Sequence, residues 1–144
     1  GIYGMTMGIA NERQYGTLEL HGSDPSVVRQ AGAAVLELLG ATPADREPPQ
    51  VVSHEIVTRV DPNQAQLVNR MRVANLLLED ETMFLVEVTP AAYTAAAANA
   101  AEKQAPIKLV YAAMLGATGR LIMAHRSPEV VNEAYLAALA AVGA

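Results

Sequence analysis

The sequence predicts an α+β fold in which helix-start signals alternate with strand-like runs. Before each of four helix-like runs, a residue whose side chain can accept a hydrogen bond stands directly before a proline, the arrangement of a helix N-cap followed by proline at the first helical position. Runs rich in β-branched residues lie between them and indicate strands. A stretch near the N-terminus also recurs near the C-terminus, which predicts two copies of one unit. The four capping residues are Asp24, Asp61, Thr89 and Ser127.

Four helices are therefore predicted to start at the prolines that follow these residues. Gly40 and Gly143 are predicted to end the first and last helices, because glycine adopts the left-handed conformation that follows a helix most easily. Pro106 is predicted to end the third helix, since the residue before a proline avoids helical angles. The second helix is expected to fade near Asn75.

The strand-like runs predict two hairpins and two further strands. One hairpin has the turn LGATG and the other has the longer loop GIANERQY, and glycine-containing connections of this kind favour hairpins. Residues 41–50 are rich in proline and charge, which predicts a surface linker, and residues 78–81, LEDE, are expected to form a second, solvated acidic linker. The six runs lie at 1–7, 16–22, 51–60, 82–89, 107–114 and 119–125.

Composition narrows the class of protein. The chain has 144 residues, of which 51% are hydrophobic and 17% charged, so it can bury a core. It has no cysteine, which excludes disulfides, thiolate metal sites and a cysteine nucleophile and fits a cytoplasmic protein. A net charge of -5 with 4% aromatic residues argues against nucleic-acid binding. The apolar stretch near the C-terminus is too short to span a membrane.

The repeat aligns residues 16–41 with residues 119–144 without a gap, at an offset of 103. Ten of the 26 positions are identical, and five of the seven that are not alanine fall on the capping proline, the final glycine and one apolar helix face. Upstream, Gly8 matches Gly116 at an offset of 108, which predicts that the first hairpin loop is five residues longer. Neither copy is whole, so either the parent chain is longer or the copies are circularly permuted; the sequence does not choose between these.

Residues 83–142, MFLVEVTPAAYTAAAANAAEKQAPIKLVYAAMLGATGRLIMAHRSPEVVNEAYLAALAAV, resemble the shell domain of bacterial microcompartments, the BMC domain. The resemblance lies in an apolar strand, an alanine-rich helix ending in lysine, APIKLV, a small glycine loop, a strand and a second helix. Residues 16–60 look like the closing half of another such domain. This implies tandem BMC-like domains, each a small, mostly antiparallel sheet flanked by helices. The expected domains are 1–60, a linking helix at 61–81, and 82–144, which could lack its last strand.

The resemblance implies a structural shell subunit that forms homotrimers shaped like hexagons and tiles with other shell proteins in the cytoplasmic microcompartment shell. Small metabolites would pass through a central pore lined by the hairpin loops, and whether encapsulated enzymes also bind is left open. Lys103 and Arg59 match the family's tile-edge residues. The implied pore-lining residues are Gly8, Ile9, Ala10, Asn11, Glu12, Arg13 and Gln14 in the first loop, and Gly116, Ala117, Thr118 and Gly119 in the second.

The residues themselves fit this reading but also allow others. Small residues in the second loop would let three backbones approach closely. In the first loop, Glu12 and Arg13 would give a charged ring around the axis. A polar loop is also typical of a solvated hairpin tip. A regulatory α+β module that binds a small ligand is the second hypothesis. An enzyme is the third, with no cofactor or metal expected, because His21, His54 and His125 lack ligand spacing. In HGSDP, Ser23 and Asp24 are better explained as helix capping than as members of a catalytic triad.

Overall fold

The computed structural model describes residues 4–10 and 15–144, which divide into two compact units, Gly1–Pro48 and Pro49–Ala144. In the first unit, strand β1 (Gly4–Ala10) pairs antiparallel with strand β2 (Tyr15–His21), and helix α1 (Pro25–Leu38) follows. A short 3₁₀ helix (Pro43–Asp45) lies in the proline-rich linker. The predicted α+β class is confirmed.

The second unit is one four-stranded antiparallel sheet with helices on both faces. The strands run in the order β3-β4-β6-β5, and every neighbouring pair is antiparallel. In chain order the elements are β3 (Gln50–Val57), α2 (Pro62–Asn69), β4 (Thr82–Thr89), α3 (Tyr93–Gln104), β5 (Lys108–Leu115), β6 (Thr118–His125) and α4 (Pro128–Ala141).

One face of this sheet packs against helices α3 and α4. Phe84, Val86 and Val88 of β4 point into this core, as alternate residues of a strand must. The two helices meet through alanines that are fully buried, such as Ala97 and Ala134. Small side chains let the helices approach closely, which is the physical use of the alanine-rich segment. The opposite face carries a smaller core of eight buried residues: Val60, Ala65, Val68, Leu77, Met83, Val110, Ile122 and Ala124.

Three of the four predicted helix caps form, and the fourth does not. The side chains of Asp24, Asp61 and Ser127 each accept a backbone N–H of the following turn. Thr89 is instead the last residue of β4, and its hydroxyl donates to the carbonyl of Ala117, 3.1 Å away. The prediction that the third helix starts at Pro90 is therefore wrong; the helix starts at Tyr93, without a side-chain cap.

The predicted helix ends are confirmed except for that of α2. Gly40 and Gly143 have φ of 66° and 76°, and each follows its helix directly after the C-cap residue. Helix α3 stops at Gln104, just before Pro106. Helix α2 ends at Asn69 rather than near Asn75, because the Asn69 side chain closes a loop by bonding the backbone N–H and carbonyl of Leu77.

The acidic linker at 78–81 differs from the expectation at one residue. Glu79 and Asp80 are exposed, but Glu81 is buried with 4% of its surface exposed. Its carboxylate accepts hydrogen bonds from the Lys108 ammonium, at 2.8 Å, and from the backbone N–H of Leu78, at 2.8 Å. A buried carboxylate requires such partners, and here they come from β5 and from the linker itself.

Strand β3 pairs with β4, although the sequence assigns it to the first domain at residues 1–60. This pairing covers an edge of β4 that would otherwise be left open, so the boundary between the units lies at Pro48–Pro49 rather than after residue 60. Strand β3 thus stands ahead of β4 in the chain and beside it in the sheet. This is the element order that a circular permutation produces.

Candidate functional site

The second predicted pore loop is a tight two-residue turn. Leu115 pairs with Thr118, so only Gly116 and Ala117 lie between β5 and β6, and Gly116 has φ of 68°. A positive φ at the first central position explains the glycine. The hydroxyl of Thr89 fixes the Ala117 carbonyl to the end of β4. Gly116 and Ala117 therefore form the tip, whereas the predicted pore residues Thr118 and Gly119 belong to β6.

Close packing explains why position 119 is a glycine, and the sequence alone does not reveal this contact. A Cβ built on this glycine would lie 1.8 Å from Oγ1 of Thr94 and 2.5 Å from the backbone oxygen of Ala91. Strand β6 can approach the start of α3 only because this side chain is missing. Thr94 is itself buried, and its hydroxyl has no hydrogen-bond partner among the described residues.

The first predicted pore loop is shorter than expected. Gly8, Ile9 and Ala10 belong to β1 and pair with Thr17, Gly16 and Tyr15, so the strands rather than a loop hold them. The remaining pore candidates lie outside the described residues. They are Asn11, Glu12, Arg13 and Gln14.

The repeat is confirmed for the second half of each copy and corrected for the first. Helices α1 and α4 have the same length and the same offset as the aligned sequences, and both end on a glycine of positive φ. Ala10 and Leu115 are the last residues of the first strand in their hairpins, and they pair with Tyr15 and Thr118, which the repeat offset of 103 aligns. Ala10 therefore corresponds to Leu115, and Gly8 does not correspond to Gly116. The interstrand segments are residues 11–14 and 116–117, so the loops differ by two residues rather than five.

The two predicted edge residues have different surroundings. Lys103 is exposed in the last turn of α3, where its positive charge interacts favourably with the negative end of the helix dipole. It forms no ion pair with a described residue. Arg59 lies beyond the end of β3 with φ of 51°, and its Nε lies 3.7 Å from Oδ1 of Asp80, which also has a positive φ. Both side chains are accessible to a neighbouring molecule.

The three histidines each have a local partner. His21 lies 3.6 Å from Glu19, and the Nδ1 atom of His125 accepts the backbone N–H of Ser127 at 3.0 Å. His54 bonds the hydroxyl of Tyr135, whose pKa is raised by burial and by the nearby Glu55 carboxylate. Across the described residues, no group of three or more possible metal ligands occurs. No helix in that part of the chain is long and apolar enough to cross a membrane.

A polar network on the sheet was missed by the sequence analysis. Glu87 of β4 accepts hydrogen bonds from Nε and Nη2 of Arg120 on β6, at 2.8 and 2.6 Å, and from the hydroxyl of Ser53 on β3, at 2.8 Å. The network links three strands, and the bonds from Arg120 and then Ser53 lower the pKa of Glu87. Alternation within β4 could have assigned Glu87 to the face opposite Val86 and Val88, but its partners depend on strand order.

Replacing Glu87 with Gln is expected to cost about 1 kcal/mol of unfolding free energy at pH 7, the usual size of a charge-assisted bond in a partly exposed site. Because the folded pKa of Glu87 is lowered, its contribution is full above the ordinary carboxyl value, 4.5, and is lost as the pH falls through the lowered value. Urea unfolding of both proteins between pH 7 and pH 3 measures this, with the exposed Glu102→Gln as control. A difference that grows in acid would contradict the assignment.

Comparisons with known proteins place these features in one class. Residues 5–45 match the family model of the CsoS1D N-terminal domain. The chain is 45% identical over 130 residues to the carboxysome shell protein CcmP of Synechococcus elongatus, covering 89% of this chain and 61% of that protein. The fused permuted hexameric shell protein MSM0275 of the RMM microcompartment superposes with a TM-score of 0.84 at 37% identity, over 96% of this chain and 70% of that one.

A second solved structure agrees. The double ringed trimeric shell protein MSM0271 of the RMM microcompartment has a TM-score of 0.86 at 36% identity, over 98% of this chain and 70% of that one. The chain therefore belongs to the tandem BMC-domain family of bacterial microcompartment shell proteins. It spans about three fifths of the length of CcmP.

Proposed function

We propose that this chain is part of a structural shell subunit whose two BMC domains let three chains form a pseudohexameric ring with a central pore. The observation that carries the proposal is the duplicated unit: the β5-β6-α4 segment and the β1-β2-α1 segment have matching helices and matching glycine ends. Three chains with two such hairpins each would bring six tips around an axis. Residues 1–48 would close the first domain, and residues 49–144 would form the second in permuted order.

In this ring the tips would line the pore, with Gly116 and Ala117 supplying a narrow, fixed rim and Glu12 and Arg13 a charged one. The bond from Thr89 to Ala117 supports a rim of constant shape. Small metabolites would pass through this pore, and other shell proteins would lie next to the ring in the shell. That the related CcmP is named a carboxysome shell protein supports a place in the shell of a microcompartment.

Native mass spectrometry of the purified protein tests the ring. The expected mass is that of three chains or a multiple of three, and negative-stain images are expected to show threefold rings with a central opening. A protein that stays monomeric at the highest soluble concentration would contradict the proposal.

The edge role of Lys103 is tested in the same preparations. Lys103→Ala is expected to leave the ring mass unchanged and to abolish or shrink two-dimensional sheets of rings. Glu102→Ala, which removes the neighbouring exposed charge, is the matched control. Sheets of equal size in both variants would show that Lys103 is an ordinary surface lysine.

A further inference from the structure

A groove with polar walls lies between helix α2 and the segment that leads into β4. Its volume is about 960 Å³, within the usual range of small-molecule sites, and it also borders the loop between β6 and α4. The buried side chains of Ala65 and Leu77 give it an apolar floor. The groove lies at the end of the sheet where Thr82 pairs with His125, whereas the hairpin tip lies at the other end. It is therefore separate from the proposed pore.

Hydrogen bonds hold both walls of this groove in place. The side-chain amide of Asn69 donates to the carbonyl of Leu77 at 2.8 Å and accepts its backbone N–H at 2.9 Å, which ties α2 to the facing wall. In that wall, the N–H of Asp80 donates to the carbonyl of Val60 at 3.0 Å, and the N–H of Val60 donates to the carbonyl of Glu81 at 2.8 Å. A ligand would therefore enter a preformed groove, and its binding would cost little ordering entropy in the protein.

Charges of both signs line the groove without neutralising each other. Arg126 comes from the loop between β6 and α4, Glu79 comes from the segment before β4, and both side chains are exposed. Neither forms an ion pair with a described residue, so the two are not bonded to each other. The second carboxylate of the groove, that of Asp80, has only the exposed pair with Arg59 at 3.7 Å. A cation and an anion are thus both available to a ligand.

These groups match the chemistry of a zwitterion. A guanidinium binds a carboxylate through two parallel hydrogen bonds, and a protein carboxylate binds an ammonium group through charge-assisted bonds. The apolar lining residues Pro62, Leu77 and Leu78 suit an apolar side chain on the same ligand. A multiply charged anion would be repelled by the two carboxylates of the groove, and a simple amine would leave the arginine without a partner.

We propose that this groove binds a free α-amino acid with an apolar side chain. Arg126 binds the carboxylate of the amino acid, Glu79 binds its ammonium group, and its side chain lies against Leu77 and Leu78. The site does not depend on the proposed ring, because the residues that line the groove all belong to the second unit of one chain.

Isothermal titration calorimetry of the full chain with L-leucine tests the site, and the expected result is saturable binding of one leucine per chain. Two analogues each lack one charged group: 4-methylpentanoate has no ammonium group, and 3-methylbutylamine has no carboxylate. Each is expected to bind at least about tenfold more weakly than leucine, since each leaves one charged group of the groove without its partner. Equal binding of leucine and either analogue would overturn the proposal, as would the absence of saturable leucine binding. Tighter binding of L-leucyl-L-leucine would overturn the assignment to a free amino acid.

Substitutions locate the binding within the chain. Arg126→Gln and Glu79→Gln are each expected to raise the dissociation constant for leucine at least about tenfold. Arg70→Gln and Glu102→Gln are the matched controls, because they remove exposed charges outside the groove, and they are expected to leave leucine binding unchanged. Unchanged binding in both groove variants, or an equal loss in the controls, would contradict the site. Rings without leucine binding would contradict this site alone, and leucine binding by single chains would contradict only the proposed ring.

Discussion

Replacing Gly119 with Ala is expected to lower the free energy of unfolding of the second unit by about 3 kcal/mol, at the upper end of the usual cost of overpacking. The added Cβ would lie 2.5 Å from the carbonyl oxygen of Ala91, which belongs to the backbone and cannot rotate away. It would also lie 1.8 Å from Oγ1 of Thr94. Strand β6 would have to retreat from α3, and thermal and urea unfolding measure the loss.

Gly32 provides the matched control for this substitution. An added Cβ at Gly32 meets no atom within 4 Å, and the residue lies within α1, where alanine is favoured over glycine by up to about 1 kcal/mol. Gly32→Ala is therefore expected to be neutral or stabilising. Adding Thr94→Ala to Gly119→Ala is expected to recover only part of the loss, since the Ala91 oxygen remains. Equal effects of the two glycine substitutions would show that space at Gly119 is not limiting.

Lys108→Met is expected to lower the free energy of unfolding by about 3 kcal/mol, the second large effect. The substitution leaves the carboxylate of Glu81 buried without its cation. The Lys108 ammonium lies 2.6 Å from Oε2 of Glu81, and the two side chains are 26% and 5% exposed. Adding Glu81→Gln removes the buried charge as well, so the double variant is expected to be more stable than Lys108→Met alone. Urea unfolding of the wild type, the two single variants and the double variant gives the coupling energy.

Arg59 supplies the comparison for this buried pair. Its ion pair with Asp80 joins two side chains that are 85% and 77% exposed, at 3.7 Å, so Arg59→Met is expected to cost no more than about 0.5 kcal/mol. If Lys108→Met and Arg59→Met lowered the free energy of unfolding by similar amounts, burial would not strengthen the Glu81 pair.

Features decided by interactions between residues close together in the sequence could be predicted, and features decided by contacts between distant residues could not. The caps at Asp24, Asp61 and Ser127 and the glycines that end α1 and α4 are decided within a few residues, and these predictions are confirmed. The helix cap predicted at Thr89 failed because its hydroxyl has a better-placed partner, the carbonyl of Ala117, in a distant turn. The same local signal was thus overruled by a tertiary contact.

The candidate site follows the same rule. The second hairpin was predicted because glycine punctuates its turn, but the alignment of Gly8 with Gly116 was wrong, since identical residues there have unrelated backbone roles. The burial of Glu81 could not be read from its acidic neighbours, because Lys108 comes from another strand. The pairing of β3 with β4 was missed because alternation identifies a strand and not its partner.

The position of β3 ahead of β4 also affects how the second unit emerges during synthesis. Only residues 58–81, which contain the short helix α2, separate these two strands, so their ladder can close before α3, the second hairpin or α4 has been made. Closing a short segment costs less entropy than recruiting a strand from beyond α4, and it shortens the time for which the nascent β4 offers an open edge to other chains. The position of β3 directly ahead of α2 and β4 thus favours early, local assembly of the sheet.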